Sequence, residues 1–158
     1  NYETGITRSF EMHGLGSEAA AYIQDATSKP KAYIDPKAMN PGENDIAANS
    51  PYLSTITIKW DDSDSNDRKL ERIITQKWIA NFPLGIEAWS EYRRTGFPKL
   101  MSVMVNNSAG RVSTNAMARR LAYPQEEYTE NNTNVLQAVS GLLGGADNMG
   151  TDVWWAKK

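Results

Sequence analysis

The sequence predicts a mainly α-helical fold with long loops, and three features carry that expectation. Leu70, Ile74, Trp78 and Phe82 recur every four residues with Ile73 beside them, the spacing of one apolar helix face that must be buried. The stretch from Ile86 resumes the pattern and ends in Arg93, Arg94 and Gly96, residues suited to a helix C-terminus. Ser17 and Glu18 precede Ala19, Tyr22, Ile23 and Ala26, which reads as a capped helix.

The elements follow in chain order. Ile6, Phe10 and His13 are spaced for a first helix that ends near His13, where Gly14 and Gly16 follow. The second helix runs from Ser17 towards Ala26. Residues 27–66 form a loop-rich insert, with Pro30, Pro36, Pro41, Gly42 and Pro51 breaking any long regular element. Within it, the β-branched alternation from Tyr52 to Trp60 fits a short strand or a turn of helix. The run Asp61-Asp62-Ser63-Asp64-Ser65-Asn66-Asp67 then offers several N-caps and places negative charge at the start of the third helix, whose other faces carry Glu71, Arg72 and Lys77.

Asn81 to Gly85 interrupts the periodicity only briefly, so the helices on either side should pack as a hairpin. Phe97-Pro98 forbids continuation, and the residues from Lys99 to Ala122 fit a short β-hairpin or an irregular crossing with a turn around Asn106, Asn107 and Gly110. Pro124 with Glu126 and Glu127 begins another helix, and a second start follows at Asn131. Val135, Leu136, Val139, Leu142 and Leu143 give the last helix its apolar face, closed by Gly144 and Gly145.

Composition removes several functional classes. The 158 residues include 40% hydrophobic and 23% charged side chains, enough for one ordinary core. With 17 Lys plus Arg against 19 Asp plus Glu, the net charge of −2 offers no basic field for a nucleic acid. No apolar run approaches the ~20 residues of a membrane-spanning helix. Cysteine is absent and histidine occurs once, so thiolate and multi-histidine metal sites are impossible within the chain. Asp61, Asp62, Asp64 and Asp67 resemble a calcium loop in composition but lack the central glycine and twelfth-position glutamate of an EF-hand, so helix capping is the better reading, an incidental calcium stays open, and no resident metal or cofactor is expected. Asn1 stands at the edge of a helical pattern, without an initiator methionine or a signal peptide, which suggests a piece of a longer polypeptide.

Five motifs stand in one order. They are Gln76-Lys77-Trp78-Ile79-Ala80, then Glu87-Ala88-Trp89, then Arg93-Arg94-Thr95-Gly96-Phe97-Pro98, then Arg119-Arg120-Leu121-Ala122-Tyr123-Pro124 with Glu127 and Asn131, and lastly Trp154-Trp155-Ala156-Lys157. Together with Tyr2, Gly5, Ile6, Ser9 and Phe10, this order resembles the C-terminal region of the SusD/RagB family over nearly the whole chain. Gly144-Gly145-Ala146-Asp147 fits the family's Gly-Gly-x-Asp pattern, whereas Ala156 departs from the Asp or Lys often found after the paired tryptophans.

The resemblance implies the C-terminal portion of a SusD-like α-helical fold, residues 1–158 forming a single region that lacks the N-terminal tetratricopeptide-type helices. It implies a cell-surface, outer-membrane protein of Bacteroidetes, anchored through an N-terminal lipid absent from this stretch. Its function would be non-catalytic binding of a glycan, or a peptide in the RagB branch, for delivery to a SusC-like TonB-dependent transporter. The N-terminal part of the same protein, in the same or a separate chain, would be a further partner.

Loop-borne aromatics are the candidate ligand contacts. Trp60 lies between a polar loop and an acidic run, where an indole can stack on a sugar ring, burial being equally open. Tyr33 and Tyr52, in or beside the same loop, complete the candidate platform. Core packing is the ordinary reading of Trp78 and Trp89, and docking against the fold that of Trp154 and Trp155. Arg93 and Arg94 suit helix-end contacts or pairing with Glu91, and Arg119 and Arg120 suit salt bridges to the N-terminal part. The enzymatic alternative is a glycoside hydrolase using Glu87 and Glu91, four residues apart on one helix face. A scaffold for the transporter is the third reading.

Overall fold

The computed structural model describes residues 1–156, so that Lys157 of the terminal tryptophan motif lies outside the described residues. The protein is helical, with 42% of its residues in helices and no strand among the described residues. The chain divides into two compact units, Asn1–Ala32 with Ala47–Leu100, and Tyr33–Ile46 with Met101–Lys158.

The first unit contains helices α1 (Tyr2–Met12), α2 (Ala19–Ile23), α3 (Asn66–Ala80) and α4 (Gly85–Thr95). Helix α1 ends at His13, as its apolar spacing predicts. Helix α2 is shorter than its composition suggests. A 3₁₀ turn, Gly16–Glu18, precedes it, and no side chain caps it. Ile6, Ala19, Ile23, Ile74, Ala88 and Tyr92 are buried in this unit, and the Phe10 and Tyr22 rings meet at 5.1 Å.

Ser65 caps α3, its hydroxyl accepting the Arg68 amide, and the C-terminus of α4 closes on Gly96 in the left-handed conformation. Between them, Lys77 of α3 bonds Glu87 and Glu91 of α4 at 3.1 and 2.8 Å, which clasps the expected hairpin. The expected burial of Phe82 fails. Helix α3 stops at Ala80, so Phe82 falls in the following turn, off the helical face, and is 87% exposed.

A larger correction concerns Glu71 and Arg72, which the helical pattern assigns to solvent-facing positions and the structure buries. They hold the segment from Leu53 to Lys59, which is neither strand nor helix. Ser54 donates to Glu71 at 2.6 Å, and Arg72 bonds the Thr57 carbonyl at 2.8 Å. The Tyr2 hydroxyl reaches the Ile58 carbonyl at 2.7 Å, and the Lys59 amide bonds the Asp25 carbonyl at 2.9 Å. Side chains and a neighbouring loop thus satisfy backbone groups that a strand would pair with another strand. Leu53 and Ile56 are buried beneath them.

The second unit contains α5 (Gln125–Glu130) and α6 (Asn132–Gln137), a π-helical turn over Ala138–Leu143 and a 3₁₀ turn over Trp154–Ala156. Residues 99–122 make an irregular crossing instead of a hairpin ladder, with one bond from the Val103 amide to the Thr114 carbonyl at 2.9 Å. A turn at Ala109 and Gly110, both at positive φ, reverses the chain. Tyr33 and Ile46 form an isolated antiparallel bridge that closes the segment between them.

Arg119 and Arg120, expected to pair outside this region, pair within the second unit. Arg119 bonds Asp152 at 2.5 Å, and the buried Arg120 bonds Asp147, which also accepts from the Tyr128 hydroxyl at 2.7 Å and the Tyr123 amide. Gly144, at φ 71°, turns the chain so that Asp147 follows the last helical turn.

The difference between a buried and an exposed side chain is measurable. The Arg72 side chain is 3% exposed and bonded to Asp64 at 2.5 Å, so Arg72→Ala leaves the Thr57 carbonyl without its donor and Asp64 with Arg68 alone. Removal of one partner from a buried pair costs about 3–5 kcal/mol. Phe82→Ala, at an exposed site, should change stability by less than about 0.5 kcal/mol. Denaturant unfolding of both variants checks this contrast.

Candidate functional site

Two of the candidate aromatics line clefts, one in each unit. In the first unit, Trp60 follows directly on the segment that α3 holds. Its ring lies against that of Tyr2, with centroids 5.1 Å apart and planes tilted by 38°, and its indole N–H donates to Asp62 at 2.8 Å. Burial pushes the Tyr2 hydroxyl up to about 12. Trp60 is therefore half-buried and oriented, with a cleft of about 450 Å³ beside it that Lys29, Thr55, Thr57 and Arg68 also line.

The acidic run is largely engaged in local structure. Asp61 accepts from the Ser63 hydroxyl and amide, and its carboxyl is lowered by those bonds. Asp64 is lowered by hydrogen bonds from Arg72 and Arg68. Arg68 also reaches Thr55 at 3.1 Å. The cleft therefore presents a fixed aromatic edge among polar groups that are already oriented, a suitable wall for a hydroxyl-rich ligand.

In the second unit, Tyr33 is 40% exposed and lines a cleft of about 460 Å³. Asp35 accepts from the Asn44 side chain at 2.8 Å and from the Lys37 amide at 2.9 Å, and these bonds hold its carboxyl below the usual range. Met101, Ser102 and Met104 form the facing part of the cleft. Tyr52, 44% exposed, lines neither cleft; its amide bonds the Ser50 hydroxyl. The three expected aromatics thus do not share one platform, since Tyr33 belongs to one unit while Tyr52 and Trp60 belong to the other.

Two features escaped the sequence pattern. Trp154 of the terminal pair is 81% exposed where the family motif suggests docking of the pair, and Ser102 is buried with its hydroxyl unpartnered. Trp155 is 40% exposed, and of this short turn only Ala156 is buried. A three-residue turn has no periodicity from which its buried side could be read.

Glu91 is unsuited to acid catalysis, and Glu87 shares its cation. Both bond Lys77, and Arg94 also bonds Glu91 at 2.5 Å. Burial would raise the Glu91 carboxyl, but the bonds from Lys77 and Arg94 outweigh it and leave it below the usual range. A general acid needs the opposite shift. Arg93 lies over the Trp89 ring at 3.8 Å, a cation–π contact within α4.

The chain belongs to the SusD-like family: the family described as Susd and RagB outer membrane lipoprotein matches residues 1–156. A SusD homologue from Bacteroides uniformis is 50% identical with a TM-score of 0.81, and a SusD-like protein from Bacteroides thetaiotaomicron is 41% identical with a TM-score of 0.80. A chitin-binding SusD homologue from Flavobacterium johnsoniae is 44% identical with a TM-score of 0.76. Each alignment covers 99% of this chain and 31% of the other, so the chain spans about a third of the length of these solved relatives. No curated protein matches it.

The Asp147 cluster gives a pH prediction. Burial would raise this carboxyl, but bonds from Tyr128, Arg120 and the Tyr123 amide bring it below its ordinary value. The unfolded chain then binds the proton more readily. The contribution is present above the unfolded carboxylate value of about 4 and is lost as pH falls through the lower folded value. Wild type should be more stable than Asp147→Asn at pH 7, and the difference in melting temperature followed by circular dichroism should shrink as pH falls below the unfolded carboxylate range.

Proposed function

We propose that this protein binds a glycan non-covalently at the outer membrane, as the ligand-capturing component of a TonB-dependent uptake system. The observation that carries the proposal is 44% identity, over 99% of the chain, with a homologue described as chitin-binding. The oriented indole of Trp60, at the edge of a polar cleft, supports it chemically: a sugar ring offers apolar C–H faces to an aromatic and hydroxyls to its polar surroundings. Tyr33 and Tyr52 are the other proposed contacts.

The engagement of Glu87 and Glu91 by Lys77 supports binding without bond breaking. A SusC-like transporter, display on the cell surface and anchoring by an N-terminal lipid belong to the same proposal, which rests there on the family. Ile73, Ile79, Leu84 and Ile86 are exposed apolar residues of the first unit. Their proposed cover is the N-terminal part of the same protein, in the same or a separate chain.

Tryptophan fluorescence during titration with soluble polysaccharides tests the reading. A saturable change with one glycan is expected, and Trp60→Ala should weaken it about ten-fold, the loss typical of an aromatic anchor worth about 1–2 kcal/mol. Release of reducing ends from a polysaccharide would instead establish an enzyme. A folded sample that does neither would favour a peptide ligand or a scaffold.

A further inference from the structure

The second unit carries a side chain whose arrangement lacks a structural explanation. Ser102 is 8% exposed, and its hydroxyl has no hydrogen-bond partner. A buried hydroxyl without a partner costs the fold free energy, and such groups are rare enough that each calls for a reason. Ser102 lies in the wall of the Tyr33 cleft, whose volume of about 460 Å³ falls within the range of small-ligand sites.

The chemistry of the cleft is divided. One part is polar: Asp35 is an ionised acceptor, and Asn44 commits its Nδ2 to Asp35, which leaves its carbonyl oxygen as an acceptor. The other part is apolar, with Met101, Val103 and Met104 all substantially exposed. Tyr33 is 40% exposed, and its backbone is bridged to the buried Ile46, which also lines the cleft. Exposed methionine and valine beside an orphaned hydroxyl fit a ligand group that has a methyl, one acceptor and one donor.

We infer that this cleft is a subsite for an acetamido-bearing sugar, with Tyr33 as the stacking face and Ser102 as donor to the acetamido carbonyl. The inference rests on the glycan-binding reading above and adds to it the sugar class and the contacts. The acetamido N–H donates to the Asn44 carbonyl oxygen or to Asp35, and its methyl packs on Met101 and Met104. These side chains are unbranched and rotate readily, so the ligand displaces them to reach the Ser102 hydroxyl. An unmodified hexose supplies no methyl, and a deacetylated amino sugar supplies neither methyl nor carbonyl.

Calorimetric titration with chitohexaose, its fully deacetylated counterpart and cellohexaose tests this on the whole protein. Wild type should bind chitohexaose at least about ten-fold more tightly than either other oligomer. Ser102→Ala should lose most of that preference while its melting temperature stays equal or rises, because the substitution removes only an unpartnered hydroxyl. Tyr33→Ala should weaken binding about ten-fold, and Tyr33→Phe should retain it. If Ser102→Ala and Tyr33→Ala bind like wild type while Trp60→Ala fails, the subsite is wrong and the glycan-binding reading stands. Equal binding of the three oligomers overturns the acetamido assignment, and a wild type that binds no glycan of a broad panel overturns both.

Discussion

The first unit depends on two charged residues buried in the middle of α3. Glu71 and Arg72 face the segment from Leu53 to Lys59 and bond its Ser54 hydroxyl and Thr57 carbonyl. Arg72 also bonds Asp64, so the same guanidinium fixes the approach to the helix N-terminus. Burial of a guanidinium is costly unless its donors are satisfied, and here a carboxylate and a carbonyl satisfy them. This requirement makes the extended segment specific: its path must bring the correct oxygen to Arg72. Leu53 and Ile56 are buried as a result, and Trp60 is delivered to the cleft with one ring contact to Tyr2.

Asp147 performs the corresponding task in the second unit. Its two oxygens receive Arg120, the Tyr128 hydroxyl and the Tyr123 amide, which join the end of the irregular crossing to α5 and to the loop after Gly144. The unit has few buried apolar side chains, with Ile46, Val135 and Ala156 among them. Directional bonds to one carboxylate therefore matter more for its geometry than they would in a large core, because they fix angles as well as contacts.

The two clefts differ in what remains open for a ligand. Around Trp60, the indole N–H, Arg68 and Asp64 already have partners within the protein, so a ligand would gain chiefly from stacking and from the remaining acceptor positions. Around Tyr33, a buried hydroxyl lacks its bond and the apolar side chains lie open. Preformed sites often combine a well-braced aromatic with a few polar groups whose bonds are completed only by the ligand.

The sequence by itself determined the helical class, the long helix with its Ser-Asp start, the turn into α4 and the glycine stops at Gly96 and Gly144. These features are local: periodicity, capping and left-handed turns act within a few residues, and the family motifs lie largely on them. It also named Trp60, Tyr33 and Tyr52 as loop aromatics, but loop position could not say that they belong to two units or that Tyr52 lines neither cleft. Only the tertiary structure decided that Glu71 and Arg72 turn inward, that Phe82 turns outward and that the β-branched run beside them is not a strand. In each case the deciding partner is distant in the chain or absent beyond a helix end, and burial of charge follows from available hydrogen bonds, which no pattern of residue types displays. The unpartnered Ser102 hydroxyl is the extreme example, since a missing bond leaves no trace in the order of the residues.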